Sequence, residues 1–121
     1  MKNKKKIICI VQARLNSTRL KNKVIYKFKN KTMIEILLER LTYSKLIDDT
    51  IVAIPKSDKR LENILKDEYK VYLGDDEDVL KRYYLAAKKF KADIIVRITG
   101  DCPLVDSQMI DIGLKKYLNS N

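Results

Sequence analysis

The chain has 121 residues, 26 lysines and arginines, 16 aspartates and glutamates, and a formal net charge of +10 at pH 7. Its hydrophobic content of 45%, with 3 glycines and 2 prolines, excludes disordered, collagen-like and low-complexity classes. Because the chain contains no histidine, Ser-His-Asp triads, Cys-His nucleophiles and histidine-based metal sites are also excluded.

Length and cysteine content predict one domain, over residues 1–121, in a reducing compartment. The first apolar run, Ile7–Val11, is shorter than the roughly 7–15 residues of a secretory signal core. No stretch approaches the ~20 apolar residues of a membrane span. We therefore expect a cytoplasmic protein without a membrane partner.

The first third of the chain predicts a strand, a polar connection and a helix. Lys6–Gln12 is rich in β-branched residues, which is typical of a buried parallel strand. Val24–Phe28 is predicted as a short strand or an extended arm. Thr32 and Glu35 have the spacing of a capping box, so a helix is expected to begin there. Its helical spacing comprises Met33, Ile36, Leu37, Arg40 and Leu41.

The middle of the chain repeats the strand–helix alternation. Thr50–Ile54 is predicted as a second buried strand, ended by Pro55. Ser57 is predicted to cap a helix over Asp58–Glu68. Val71–Leu73 is predicted as a third, short strand that ends at Gly74.

The last third begins with an acidic run, Asp75–Asp78, which suits the positive end of a helix dipole. The expected apolar positions of that helix are Val79, Leu80, Tyr83, Tyr84 and Ala87, with both tyrosines in core or boundary packing. Asp93–Thr99 is predicted as a fourth strand. Asp106 is expected to cap a final helix over Ser107–Leu118.

Alternating strands and helices predict an α/β fold with a parallel sheet covered by helices on both faces. If the strands lie in the order third, second, first, fourth, the loops Ala13–Lys23 and Gly100–Pro103 emerge side by side. Ligands of such sheets bind outside the carboxyl ends of the strands. These two loops are therefore the candidate site.

The first loop concentrates cations and hydroxyl groups, which suit a polyphosphate. The residues concerned are Arg14, Ser17, Thr18, Arg19, Lys21 and Lys23. The loop has no glycine, so it is neither a Walker A loop nor a dinucleotide-binding turn. The alternative interpretation is a solvated basic loop without a ligand.

The second loop carries Asp101 directly after the fourth strand. A carboxylate at that position is a candidate Mg²⁺ ligand when phosphates are near, and the alternative is a turn or cap aspartate. Cys102 is not expected to act as a nucleophile, because no histidine is present to activate it.

Together these segments resemble the sugar cytidylyltransferase family that includes spore coat polysaccharide biosynthesis protein F and acylneuraminate cytidylyltransferase. The matching motifs, in chain order, are Val11–Val24, Glu39–Leu41 with Ser44 and Ile47–Asp48, Gly74 with Asp78–Tyr84, and Arg97–Leu104 with Asp106. The first and last motifs are the most specific.

The resemblance implies the amino-terminal half of a three-layer, GT-A-like and Rossmann-like nucleotidyltransferase fold. It implies transfer of CMP from CTP to a sugar or sugar acid, with release of pyrophosphate. Arg14 and Lys23 would hold the triphosphate, supported by Ser17 and Arg19. Asp101 would bind Mg²⁺, so that Arg14, Lys23 and Asp101 form the catalytic set. Gln12 and Ala13 would lie near the base.

The sequence departs from the family pattern in loop composition and in length. Lys21–Asn22 replaces a Pro-Gly pair, and Asn30 replaces a glycine, where asparagine is expected to take the left-handed backbone conformation. Family members are roughly twice as long. We therefore expect the fourth strand to be an edge that needs covering. Its expected cover is a homodimer or the missing carboxyl-terminal half, and turnover by this chain alone should be weak or absent.

Two other functions remain open from the residues. A non-catalytic nucleotide-binding or scaffolding fragment would keep the fold without Mg²⁺-dependent affinity. A basic nucleic-acid-binding domain is disfavoured, because the chain has no recognised nucleic-acid motif, no tryptophan and only 7% aromatic residues.

Overall fold

Four parallel strands form the central sheet of the computed structural model, which describes residues 4–14, 27–100 and 106–120. The strands in chain order are β1 (Ile7–Gln12), β2 (Lys27–Phe28), β3 (Lys31–Thr32), β4 (Asp49–Pro55), β5 (Lys70–Gly74) and β6 (Ile94–Thr99). The central sheet has the order β5-β4-β1-β6, with every neighbouring pair parallel. The observed order is therefore the one on which the side-by-side placement of the two loops was conditional.

Four helices connect or follow these strands. They are α1 (Met33–Leu41), α2 (Lys59–Leu65), α3 (Val79–Lys89) and α4 (Ser107–Asn119). α1 begins at the predicted capping box, because the Thr32 hydroxyl accepts from the Glu35 amide and the Glu35 carboxylate accepts from the Thr32 amide. Asp106 caps α4 as predicted, with its carboxylate accepting from the amides of Gln108 and Met109.

The core lies on both faces of the sheet. On one face, alternate β1 residues such as Cys9 and Val11 pack against α1 and α2, and Ile110 of α4 joins the same layer. On the other face, Ile8 and Ile10 pack against α3. Burial raises the pKa of the Cys9 thiol to about 12, so this cysteine is a packing residue.

β6 is an edge of the described sheet and is covered unequally on its two faces. Ile94 packs with Leu114 of α4, whereas Ile95 points to the α3 face and is 43% exposed. Among the described residues, the only helix on that face is α3, and it packs mainly over β5, β1 and β4. The edge predicted from the sequence is therefore present.

Several local predictions differ from the structure. α2 begins at Lys59 with Asp58 as its N-cap, so Ser57 is not the cap, and the helix ends at Leu65 well before the predicted Glu68. Of the predicted Val24–Phe28 segment, only Lys27–Phe28 lies within the described residues. These two residues form β2, which pairs with β3. The left-handed residue of that turn is Lys29, with φ of 59°, and not Asn30.

The buried faces of two helices were also predicted in the wrong rotation. In α1 the buried set includes Ile34 and Leu38 in addition to Leu37 and Leu41. In α3, Leu80 and Tyr84 are 69% and 62% exposed, so the prediction that Tyr84 packs in the core or at its boundary is wrong. The buried α3 residues are Arg82, Tyr83, Ala86 and Ala87.

Within the described residues, no helix combines the length and the apolar character that crossing a lipid bilayer requires.

α3 ends in a Schellman motif built without glycine. The Ala92 amide donates to the Ala87 carbonyl and the Lys91 amide to the Lys88 carbonyl, while Lys91 has φ of 57°. Lys91→Gly should therefore raise the free energy of unfolding by about 0.5–1 kcal/mol, because glycine adopts this conformation without a Cβ penalty. Urea unfolding monitored by circular dichroism measures the change.

The matched control is Lys88→Gly, which places the same substitution on an exposed residue inside the helix. It should lower stability by about 1 kcal/mol. A loss of stability in both variants would show that the left-handed conformation at Lys91 is not strained.

Candidate functional site

The carboxyl ends of β1 and β6 are joined directly by backbone hydrogen bonds. Gln12 lies opposite Thr99 in the parallel register. The Gly100 amide donates to the Gln12 carbonyl over 2.7 Å, and the Ala13 amide donates to the Ala53 carbonyl of β4 over 3.1 Å. The starts of the two loops singled out in the sequence therefore lie next to each other.

Gly100 is required at this junction because no space exists for a side chain. An added Cβ would lie 2.9 Å from Cβ of Ala13, 3.1 Å from the Gln12 carbonyl oxygen and 3.3 Å from Cδ1 of Ile34. The backbones of the two strand ends can approach this closely only without a Cβ. The absence of a side chain at Gly100 thus lets the carboxyl ends of β1 and β6 meet.

The predicted site residues divide into a described and an undescribed group. Gln12 is half-buried at the end of β1, Ala13 is 2% exposed, and Arg14 is exposed to solvent. Ser17, Arg19, Lys23 and Asp101 lie outside the described residues, so their predicted roles remain predictions. The ranges 4–14, 27–100 and 106–120 contain no cluster of three or more residues able to hold a metal ion.

Arg97, from the motif that ends in Gly100, packs on an aromatic ring of α3. Its guanidinium carbon lies 4.4 Å from the centroid of the Tyr83 ring, within the range of a cation–π contact. The Tyr83 hydroxyl donates to the Ile98 carbonyl over 3.2 Å. Burial raises the pKa of Tyr83, with Arg97 opposing that shift. Through this hydrogen bond Tyr83 connects α3 to the carboxyl end of β6.

The acidic run after β5 builds a tight turn at the same edge of the sheet. The Asp75 carboxylate accepts from the amides of Asp78 and Glu77, and these bonds lower its pKa. The Asp76 carboxylate accepts from the Ser57 amide over 3.1 Å. Asp78 caps α3 by accepting from the Lys81 amide. These carboxylates organise backbone amides in addition to matching the helix dipole.

Arg82 is a residue at this edge that the sequence reasoning did not select. Its side chain is fully buried, and its Nη1 donates to the carbonyls of Asp75 and Asp76. The available signal was an arginine four residues after the helix cap, on the same face as Tyr83 and Ala86. An arginine among buried positions of a helix is unusual and indicates a specific use of its charge.

The family model described as cytidylyltransferase matches residues 8–121, which include the whole β1–β6 junction. The chain belongs to the cytidylyltransferase family.

Curated relatives agree with this family. The chain is 46% identical over 119 residues to an uncharacterized protein of Methanocaldococcus jannaschii, covering 96% of this chain and 49% of the relative. It is 33% identical to spore coat polysaccharide biosynthesis protein SpsF of Bacillus subtilis, covering 93% and 50%. It is 31% identical to a 3-deoxy-manno-octulosonate cytidylyltransferase of Trichlorobacter lovleyi, covering 94% and 46%.

A solved structure supports the fold of this cytidylyltransferase chain. The structure of a cytidylyltransferase from Leptospira borgpetersenii matches with a TM-score of 0.89 at 38% identity, covering 95% of this chain and 50% of that one. The chain thus has the nucleotidyltransferase fold predicted from the sequence. It spans about half the length of the curated relatives that it matches.

Proposed function

We propose that this chain is the nucleotide-binding half of an enzyme that transfers CMP from CTP to a sugar or a sugar acid and releases pyrophosphate. The observation that carries the proposal is the junction at Gly100, where the ends of β1 and β6 meet within one hydrogen bond. In parallel sheets, ligands bind beyond such strand ends. The reaction class is taken from the Trichlorobacter lovleyi relative, a 3-deoxy-manno-octulosonate cytidylyltransferase.

The roles proposed for the residues follow the charge of the reaction. The acceptor oxygen attacks the α-phosphorus of CTP, a new P–O bond forms, and the bond to the leaving pyrophosphate breaks. Such a transfer needs positioning and neutralisation of phosphate charge more than a strong base. Arg14 and Lys23 would hold the triphosphate with Ser17 and Arg19 beside them.

Gln12 and Ala13 are proposed to lie against the cytosine base. The Ala13 side chain is nearly buried and the Gln12 side chain half-buried, so this part of the strand end offers a small, ordered surface. Arg14, the next residue, is exposed and free to reach solvent-side phosphates. The change from buried to exposed along these three residues matches the two parts of CTP, an uncharged base and a charged triphosphate.

Asp101 is proposed as a ligand of Mg²⁺. It directly follows Gly100, whose amide is bonded to the end of β1, so its chain position suits a carboxylate between the two loops. When bound, the ion would neutralise charge on the phosphate oxygens. The residues of the chain would still have to bind and orient the nucleotide.

Calorimetric titration with CTP and Mg²⁺ tests this proposal, with ATP, GTP and UTP as controls. We expect CTP-selective binding that depends on Mg²⁺ and that Asp101→Ala weakens at least about tenfold, since a charged ligand is lost. The matched control is Asp67→Ala, which removes an exposed carboxylate after α2 and should leave binding unchanged.

The same samples, supplied with sugar and sugar-acid acceptors, should show little or no pyrophosphate release. We propose that the exposed edge and α3-side face of β6 are covered in the working enzyme by the second half of this fold, which would complete the acceptor pocket. Binding that is unselective among nucleotides, or unaffected by Mg²⁺, would instead favour a scaffolding fragment.

A further inference from the structure

Arg82 combines complete burial with incomplete hydrogen bonding. Its side chain is 0% exposed. Nη1 donates to the Asp75 carbonyl over 2.9 Å and to the Asp76 carbonyl over 3.3 Å. Nε and Nη2 are also buried, and within the part of the chain that the structure describes they have no hydrogen-bond partner. An arginine that served only to hold the turn would not need these groups left unsatisfied.

Among the described residues, the charge of Arg82 is only partly compensated. The ion pairs formed among the described residues all use lysines, and none includes Arg82. Burial is the main factor that lowers the Arg82 pKa, and the nearby Arg14 guanidinium lowers it further, with Asp58 and Asp75 opposing only in part. A buried guanidinium stays charged, so this arrangement costs free energy in the unliganded protein.

The position of Arg82 is built into the fold by Gly74. A Cβ at Gly74 would lie only 2.5 Å from Cγ of Arg82 and 3.2 Å from its Cδ. The glycine at the end of β5 therefore lets the arginine stem pass against the strand end. The charged group is thereby held under the β5–α3 turn, at the carboxyl edge of the sheet.

We propose that Arg82 is a positioning residue for the phosphate chain of the nucleotide, supplying a fixed positive charge under the β5–α3 turn that a bound polyphosphate compensates. This inference rests on the proposed function, since it concerns the same strand-end site. Repulsion between the Arg82 and Arg14 guanidinium groups is present before binding and is relieved by the anion. A fixed cation near a polyanion strengthens binding most where water is excluded.

Inorganic tripolyphosphate is the probe, because it carries the phosphate charge without base or sugar. Calorimetry of the folded chain should show that Arg82→Gln raises the dissociation constant about tenfold or more. Arg82→Lys, which keeps the charge, should recover most of the affinity. The matched control, Arg60→Gln, removes an exposed arginine of α2 and should change the affinity less than twofold.

A measurement on the unmodified chain covers the case in which Arg82→Gln fails to fold. The Arg82 Nε–H resonance, identified by its absence in Arg82→Lys, should shift in nitrogen–proton NMR spectra as tripolyphosphate is added. A resonance that does not move, or no binding of tripolyphosphate at all, would overturn the proposal. So would Arg82→Gln that lowers stability while leaving tripolyphosphate affinity intact, because that result assigns Arg82 to the turn alone.

The two proposals can fail separately. Tripolyphosphate binding that depends on Arg82, without selectivity for CTP, would support the inference and contradict the cytidylyltransferase assignment of this half. CTP-selective binding that Arg82→Gln leaves unchanged would support the cytidylyltransferase assignment and contradict the role proposed for Arg82.

Discussion

Gly100→Ala should lower the free energy of unfolding by about 2–3 kcal/mol and weaken CTP binding with it. The new Cβ would lie 2.9 Å from Cβ of Ala13, closer than packed carbon atoms tolerate, and 3.1 Å from the Gln12 carbonyl oxygen. Relief requires the ends of β1 and β6 to separate, which lengthens the hydrogen bond from the Gly100 amide to Gln12. Urea unfolding and calorimetric titration measure the two effects.

Two further variants isolate the steric cause. Gly113→Ala makes the same substitution inside α4, where a Cβ would meet nothing within 4 Å, and should raise stability by about 0.5–1 kcal/mol. Ala13→Gly combined with Gly100→Ala removes the closest contact and should recover part of the loss. A Gly100→Ala variant as stable as the parent chain would contradict the claim that the two strand ends are too close for a side chain.

Asp111→Ala should lower the free energy of unfolding by about 1–2 kcal/mol at pH 7. Asp111 of α4 accepts from the Ser44 hydroxyl over 2.5 Å and from the amides of Lys45 and Leu46 over 2.8 and 3.3 Å. It thereby holds α4 to the connection between α1 and β4. Hydrogen bonds to a charged acceptor are stronger than neutral ones, and partial exposure moderates their effect.

The loss in Asp111→Ala should depend on pH in a defined direction. Desolvation raises the Asp111 pKa, but the hydrogen bonds from Lys45, Ser44 and Leu46 outweigh it, so the pKa is lowered from its ordinary 3.8. A carboxyl with a lowered folded pKa stabilises the protein above its unfolded pKa and ceases to do so as pH falls through the folded value. The parent and Asp111→Ala should therefore converge as the pH falls below the ordinary carboxyl pKa of 3.8.

Unfolding experiments across that range measure the convergence. Ser44→Ala removes one donor only, and should cost about half as much at pH 7 as Asp111→Ala. A difference between parent and Asp111→Ala that stays constant down to pH 2 would mean that the charge of Asp111 does not contribute. The comparison with the parent is needed because Asp48 and Asp75 also have lowered pKa values and contribute to acid sensitivity.

Much of the architecture could be predicted from local sequence patterns. Apolar runs predicted the four parallel strands to within one residue at each end. In β1 and β4 the reason is burial on both faces, which requires mostly apolar residues. The Thr32–Glu35 capping box and the Asp106 cap were readable because each depends on side chains within three residues of the helix start. The family motifs then joined these segments into one fold.

The buried faces of helices and the conformations of turns were harder to predict from the sequence. Leu80 and Tyr84 are apolar or aromatic and still exposed, since α3 turns Arg82, Tyr83 and Ala86 towards the sheet. Which stripe of a helix is buried depends on the sheet beneath it, and a short apolar pattern fits more than one rotation. The turn between β2 and β3 shows a similar dependence on tertiary pairing. Lys29 adopts the left-handed conformation although Asn30, its neighbour, tolerates it better, because the β2–β3 pairing decides the turn.

Fold class, element order and family could be predicted from the amino-acid sequence, because they depend on patterns along the chain. The steric need for glycine at position 100, and the burial of Arg82 without an ion-pair partner among the described residues, became visible only in the folded structure. Both depend on contacts between different elements, namely Ala13 after β1 with Gly100 after β6, and Gly74 of β5 with Arg82 of α3. Those contacts are set by the packing of strands and helices, which local composition does not specify.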